Sequence, residues 1–243
     1  MMEGRFSNVY DDGARADAYA TLEFPGTYAL AYRDLPDILA RHVHGKKAVD
    51  FGCGAGRSSR ALRGLGFDVV GLDISEAMLT RARGRDPQGD YRLVPEGDVG
   101  IVPADSCDLV LSAFTFDNIP TQEKKIALLR GLGRLLRAEG RIVSVVSSPD
   151  IYVNEWASFS TRDFPENRSA RCGDTVRIVM LDVEDRRPVV DVLWTDDGYR
   201  EVYERAGLRV LEVRRPLGSD ADDQRWVSET RIAPWVVYVL APG

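Results

Sequence analysis

Histidine is almost missing from this chain. Only His42 and His44 occur among 243 residues, both just ahead of the first apolar run, so a histidine general base is not expected. Cysteine is scarce as well: Cys53, Cys107 and Cys172 form neither a metal-ligand spacing nor a disulfide framework. Without clustered His, Cys or Asp ligands, no catalytic metal is expected. Positive charge is not in surplus, with 32 basic against 38 acidic residues and a net charge of −6. The arginines are scattered, so no face for a nucleic-acid backbone is expected. No apolar run approaches membrane-spanning length, and residues 1–8 hold no signal-like core. There is no internal repeat and no low-complexity tract. The expectation is a soluble, cytoplasmic protein with a small-molecule partner, no membrane and no nucleic acid; its oligomeric state stays open.

What is present is a glycine-rich turn. Ala48-Val49-Asp50-Phe51-Gly52-Cys53-Gly54-Ala55-Gly56 reads as a strand entering a turn, and Val69-Val70-Gly71-Leu72-Asp73 as a second strand ending on an acid. This is the plan of a nucleoside-binding βαβ unit. Glycines let the backbone approach a ligand, and the distal acid bonds a ribose diol. Arg57 stands where a dinucleotide fold would place its third glycine. Asp50, two residues before the turn, would repel a pyrophosphate and attract a cation. A ligand with a ribose and a positive charge points to S-adenosylmethionine.

These residues resemble motif I and the following acidic strand end of the class I S-adenosylmethionine-dependent methyltransferases. The likeness continues through Glu96-Gly97-Asp98, Asp108-Leu109-Val110-Leu111-Ser112 and Leu135-Leu136-Arg137-Ala138-Glu139-Gly140-Arg141. It covers roughly residues 45–147 and implies a doubly wound, mostly parallel seven-stranded α/β sheet. Two other readings remain open: an NAD(P)-dependent oxidoreductase, disfavoured by the glycine spacing and Asp50, and a cofactor binder without catalysis.

The chain reads as one domain over 1–243. An N-terminal helical cap fills 1–44, with one helix over 27–44 that Pro36 kinks or divides and Gly45 stops. The cofactor-binding core follows over 45–147. Its strands are expected at 47–51, 67–72, 91–94, 107–112 and 141–147, and a long helix opens at Pro120 and closes at Gly140. Residues 148–195 break the alternation and read as a lid, with strands at 175–183 and 188–193. A helix at 197–206 and strands at 208–213 and 235–240 complete 196–243, the last two pairing antiparallel by resemblance.

By resemblance, Asp73 binds the ribose hydroxyls. Gly52, Gly54 and Gly56 admit the cofactor, with Asp50 and Cys53 in the same loop. Ile74 and Met78 flank the adenine, although Met78 also fits a core position. Gly97, Asp98 and Val99 lie toward the adenine amino group, or form a simple turn. Ala113 and Phe114, after the fourth strand, lie by the methionine end. Asp117 and Asn118 either touch the substrate or cap their loop. Together with Tyr19 they are the candidates for a catalytic group. Tyr152 and Trp156 are candidates for substrate contact; with Phe159, Phe164 and Trp194 of the same segment they form either a satellite core or, in part, the pocket roof. Methyl transfer from a sulfonium needs alignment and water exclusion above all, and leaves S-adenosylhomocysteine.

Overall fold

The computed structural model describes residues 22–23, 25–95 and 98–243. Short apolar runs separated by helices form β1 (Lys47–Phe51), β2 (Asp68–Asp73), β3 (Asp90–Leu93), β4 (Cys107–Ala113) and β5 (Leu136–Ser147). All pair in parallel with their neighbours. β9 (Leu208–Arg214) and β10 (Trp235–Pro242) extend the sheet antiparallel, giving the order β3-β2-β1-β4-β5-β10-β9. The central strands alternate side chains between two covered faces, which explains why they read as unbroken apolar runs. Leu109, Leu111, Val143 and Val145 meet α1 (Thr27–Arg33) and α2 (Leu35–His42). Val110, Ile142 and Val146 meet α5 (Gln122–Leu135) and α6 (Asp196–Arg205). Between β1 and β3 run α3 (Arg57–Gly64) and α4 (Glu76–Arg85), the latter capped by the Ser75 hydroxyl on the Met78 amide.

Two boundaries differ from the sequence-based expectation. The segment 27–44 is divided, one of the two outcomes that Pro36 left open, into helices joined at Asp34, with Pro36 in the first turn of α2, where its missing N–H costs nothing. The second of them ends on extended Val43 and not at Gly45. The long helix stops at Leu135, five residues before Gly140. Its final carbonyls are taken from outside: Asp105 N–H donates to Arg134 O and Ser106 N–H to Leu135 O. Leu136 then joins the sheet opposite Cys107, and a register shift follows before Arg141 faces Leu109.

Residues 148–195 leave the carboxyl end of β5 and build a small antiparallel sheet of β6 (Phe159–Ser160), β7 (Thr175–Met180) and β8 (Val189–Val192). Its apolar side chains join the core face lined by α1 and β10. Fully buried Glu229 ties this corner together, accepting from Thr27 Oγ1 at 2.6 Å and from the amides of Ala157 and Val227. A buried carboxylate satisfied by several donors suits a fixed junction.

Candidate active site

The turn between β1 and α3 is built for close approach. Gly52 and Gly56 have φ of 73° and 79°. A Cβ on Gly52 would lie 2.0 Å from Thr115 Oγ1, and one on Gly56 2.6 Å from the Tyr91 hydroxyl. The protein's own packing therefore demands these two glycines. Around Gly54 only the Met78 methyl comes near, at 3.2 Å from an added Cβ, so this residue presents the open side of the turn. Asp73 closes β2 against it, with Oδ2 accepting Gly54 N–H at 2.8 Å and Oδ1 accepting Ser75 N–H at 2.9 Å. It occupies the position from which an acid reaches a ribose diol in a βαβ unit. Ile74 follows with 40% exposure, an apolar surface at the mouth.

Asp50 is placed differently from expectation, while Met78 and Asp98 take the core and turn alternatives that the sequence left open. Asp50 is fully buried and does not face a ligand as an open carboxylate. Its Oδ2 accepts from Ser58 Oγ at 2.6 Å and Ser59 Oγ at 2.5 Å, fastening α3 to β1. Burial raises its pKa to about 6, and its Oδ1 is an orphaned buried acceptor among the described residues. Cys53 is a buried thiol whose pKa is pushed up by burial, so it is no nucleophile. Met78 and Val99 are core residues, 2% and 6% exposed. Asp98 makes a local turn with Gly100 N–H. Gly97 and Tyr19, like Glu96, lie outside the described residues.

Beyond β4 the chain turns at Phe114, whose φ of 64° is unusual for a bulky side chain. Its amide bonds Val145 O at 2.9 Å, and its ring lies 4.7 Å from that of Trp235 and 5.8 Å from that of Tyr28. This wall borders a cavity of about 50 Å³ at the carboxyl ends of β4 and β5, beside the start of β10 and beneath the 148–195 insertion. Asp117 and Asn118 line it, as does Tyr152, which donates its hydroxyl to Asp191 Oδ2 at 3.0 Å. Phe159 lines it too. Trp156 does not: it is buried in the core with Nε1 donating to Ile151 O. Phe164 and Trp194 also pack elsewhere. Ala113 ends β4 just ahead of the wall, half-buried against that core. His42 sits at the opposite edge, 2.7 Å from Glu212, and among the described residues no cluster of three His, Cys, Asp or Glu side chains could hold a metal.

Asp117 is the hub of a buried network. Ser147 N–H and Oγ donate to Oδ2 at 3.0 and 2.9 Å, and the Tyr199 hydroxyl to Oδ1 at 3.1 Å. Burial raises its pKa, opposed by Ser147, Lys125 and Tyr199. Behind it, Lys125 is fully buried. Its Nζ donates to Phe116 O and lies 4.9 Å from the Trp194 ring. Burial pulls this amine down to about 7. Sequence reasoning missed Lys125, yet it lies four and seven residues before Leu129 and Leu132, on the apolar stripe of α5. Arg57 was read only as a missing glycine. In the structure its guanidinium lies 5.1 Å from the Tyr28 ring centroid and 5.8 Å from that of Tyr32.

The fold is a doubly wound α/β sheet, in which ligands lie at the carboxyl edge of the strands. The family profile described as "Methyltransferase domain" matches residues 49–144. A cypemycin N-terminal methyltransferase from Streptomyces sp. is 36% identical over 55% of this chain and 54% of its own length. A ubiquinone biosynthesis O-methyltransferase from Bordetella avium is 31% identical over 46% of this chain and 53% of its own length. The chain thus spans about half the length of these curated relatives. The solved structure of an S-adenosylmethionine-dependent methyltransferase from Mesorhizobium loti shares the fold, with TM-score 0.60 at 22% identity over 88% of this chain and 99% of its own. Residues 49–144 thus match a methyltransferase domain, and the chain shares the fold of solved S-adenosylmethionine-dependent methyltransferases.

Proposed function

We propose that this protein transfers a methyl group from S-adenosylmethionine to a small acceptor held in the cavity, without a metal. The observation that carries the reading is the position of the cavity. Phe114 and Asn118 line it directly beyond β4, which pairs with the strand β1 that enters the glycine turn, and it is roofed by a segment that contributes nothing to that turn. The bound cofactor supplies an activated methyl on a sulfonium. The chain's residues would do the rest: Gly54 and Asp73 hold the adenosine half, Ile74 carries the base, and the orphaned Asp50 Oδ1 offers an acceptor beneath the turn. Phe114 and the insertion exclude water and align the acceptor. The free thiols of Cys53, Cys107 and Cys172 suit a reducing cytoplasm. An acidic, aromatic cavity of this size supports a small molecule over a nucleic acid. In the described residues no helix is long and apolar enough to cross a membrane.

Calorimetry with S-adenosylhomocysteine, NAD and NADP tests this reading. Micromolar binding of the first alone is expected. Preference for a nicotinamide cofactor would overturn it, as would binding without transfer of label from tritiated S-adenosylmethionine to any acceptor in a metabolite screen. The curated relatives point to different acceptor atoms, one named for an amino terminus and another for oxygen.

A further inference from the structure

We propose that Phe114 determines the size of the acceptor: a left-handed backbone turns its ring off the alternation of β4 and sets it as the cavity wall nearest the glycine turn. The inference rests on the cavity being the acceptor site. Its first support is the face on which the ring lies. Leu109 and Leu111 of β4 pack with α1 and α2, whereas Val110 packs with α5 and α6. Side chains alternate along a strand, so residue 114 belongs by parity with Val110. Its ring instead packs against the Leu109 cluster, beside Ala113, which holds that face by parity. The φ of 64° accounts for the change of face. Two consecutive residues thus occupy one side of the sheet, the side whose core residues line the cavity.

The second support is the strain. A bulky L residue is disfavoured in the left-handed region and stays there only where its surroundings hold it. Three bonds do so. Phe114 N–H donates to Val145 O at 2.9 Å, and Asn118 Nδ2 donates to Phe114 O at 3.2 Å. The next residue, Thr115, donates its hydroxyl to Phe51 O at 3.0 Å. Glycine would take the same turn without strain. A phenylalanine held there against its own preference points to a use for the ring.

The third support is where the ring stands. Thr115 fills the space against Gly52, so residue 114 lies between the glycine turn and the cavity. Its ring packs 4.7 Å from that of Trp235 and 5.8 Å from that of Tyr28, which fixes its position. An acceptor in the cavity therefore ends at Phe114. Cutting the ring away lengthens the cavity toward the turn by the space of one aromatic ring, and so changes which acceptors fit.

The test uses the full chain loaded with S-adenosylhomocysteine. Matched probes are phenol with 2-naphthol and aniline with 2-naphthylamine, read by calorimetry. Tritiated methyl transfer from S-adenosylmethionine to the same probes is followed in parallel. Wild type is expected to favour the one-ring member of at least one pair. In Phe114→Ala the balance should move toward the two-ring member by tenfold or more. Phe114→Leu, which keeps most of the bulk, should move it the same way by a smaller factor, and carries the test if the alanine variant does not fold. Phe114→Gly loses the same ring and should melt about 2–4 °C above Phe114→Ala, because only alanine is strained in the left-handed turn. An unmoved balance in the folded variants, or an alanine variant that melts as high as the glycine one, would overturn the inference. Val189→Trp, which narrows the cavity from β8, separates this inference from the reading beneath it. If it abolishes one-ring binding while Phe114→Ala leaves the balance unmoved, the cavity reading stands and the role of Phe114 falls. If it leaves one-ring binding intact, the cavity is not the acceptor site and both fall.

Discussion

The two halves of the carboxyl edge are made in opposite ways. Around Gly54 and Asp73 the site is mostly backbone, assembled by residues close in sequence and held by amide donors on a carboxylate. Around Asp117 and Asp191 it is mostly side chain, gathered from α1, β4, β5, β10 and the insertion. A backbone site can recognise a shared cofactor with little dependence on side-chain identity, whereas a side-chain site can change its acceptor without disturbing the first. The comparison teaches that cofactor binding and acceptor choice should separate under mutation.

The largest break is expected at Lys125. In Lys125→Met, buried Asp117 loses its cation and Phe116 O its donor, at a cost of about 3 kcal/mol by urea unfolding. The loss should depend on pH. Lys125 sits at about 7 when folded against 10.5 as its ordinary value. Between these values the unfolded chain holds the proton and the folded chain does not, so wild-type stability gains from this group as pH rises. The penalty is fully present below about pH 7. The deficit of the variant should therefore widen from pH 7 to 9, by at most about 1.4 kcal/mol per pH unit. A constant deficit would mean that Lys125 titrates normally.

Gly52→Ala should come next. It forces a side chain into the left-handed region against Thr115 and should cost at least about 2 kcal/mol, with cofactor binding lost alongside. An unchanged unfolding midpoint would show that the turn relaxes freely. Asp73→Ala should keep the fold and weaken S-adenosylhomocysteine at least about tenfold, or about 1.4 kcal/mol, by calorimetry. An unchanged affinity in the folded variant would remove Asp73 from the cofactor site.

Tyr152→Phe probes the other half gently. Loss of one hydroxyl from Asp191 should raise the acceptor KM a few-fold, about 1 kcal/mol, and leave S-adenosylhomocysteine affinity intact. Parallel loss of both would place Tyr152 in the cofactor site. The smallest effect is expected from the double change His42→Ala and His44→Ala. His42 holds Glu212 across the sheet from the cavity, so transfer should stay within about two-fold, on the scale of an exposed substitution. A collapse of rate in a folded double variant would put the catalytic machinery in the wrong place.

The sequence by itself determined the half around the glycine turn, because its information is local. Positions 48–56 and 69–73 form one strand–turn–helix–strand unit, and glycine and aspartate there serve geometric needs that few other residues meet. The unbroken apolar runs announced buried parallel strands for the same reason. Tertiary structure decided the rest. The end of α5 at Leu135 depends on amides of Asp105 and Ser106 arriving from the previous loop, and Gly140 misled because no local signal competes with a distant donor. Trp156 could be roof or core in the sequence and is core, since an aromatic on a loop carries no mark of which side it packs. Asp50 read as a ligand-facing charge and is instead bonded inward by Ser58 and Ser59. The buried network around the cavity joins Ser147, Asp191 and Tyr199 to their partners across 30, 39 and 82 residues. Such contacts exist only once the sheet has set the register, so no spacing rule along the chain could have shown that two carboxylates would share one cavity.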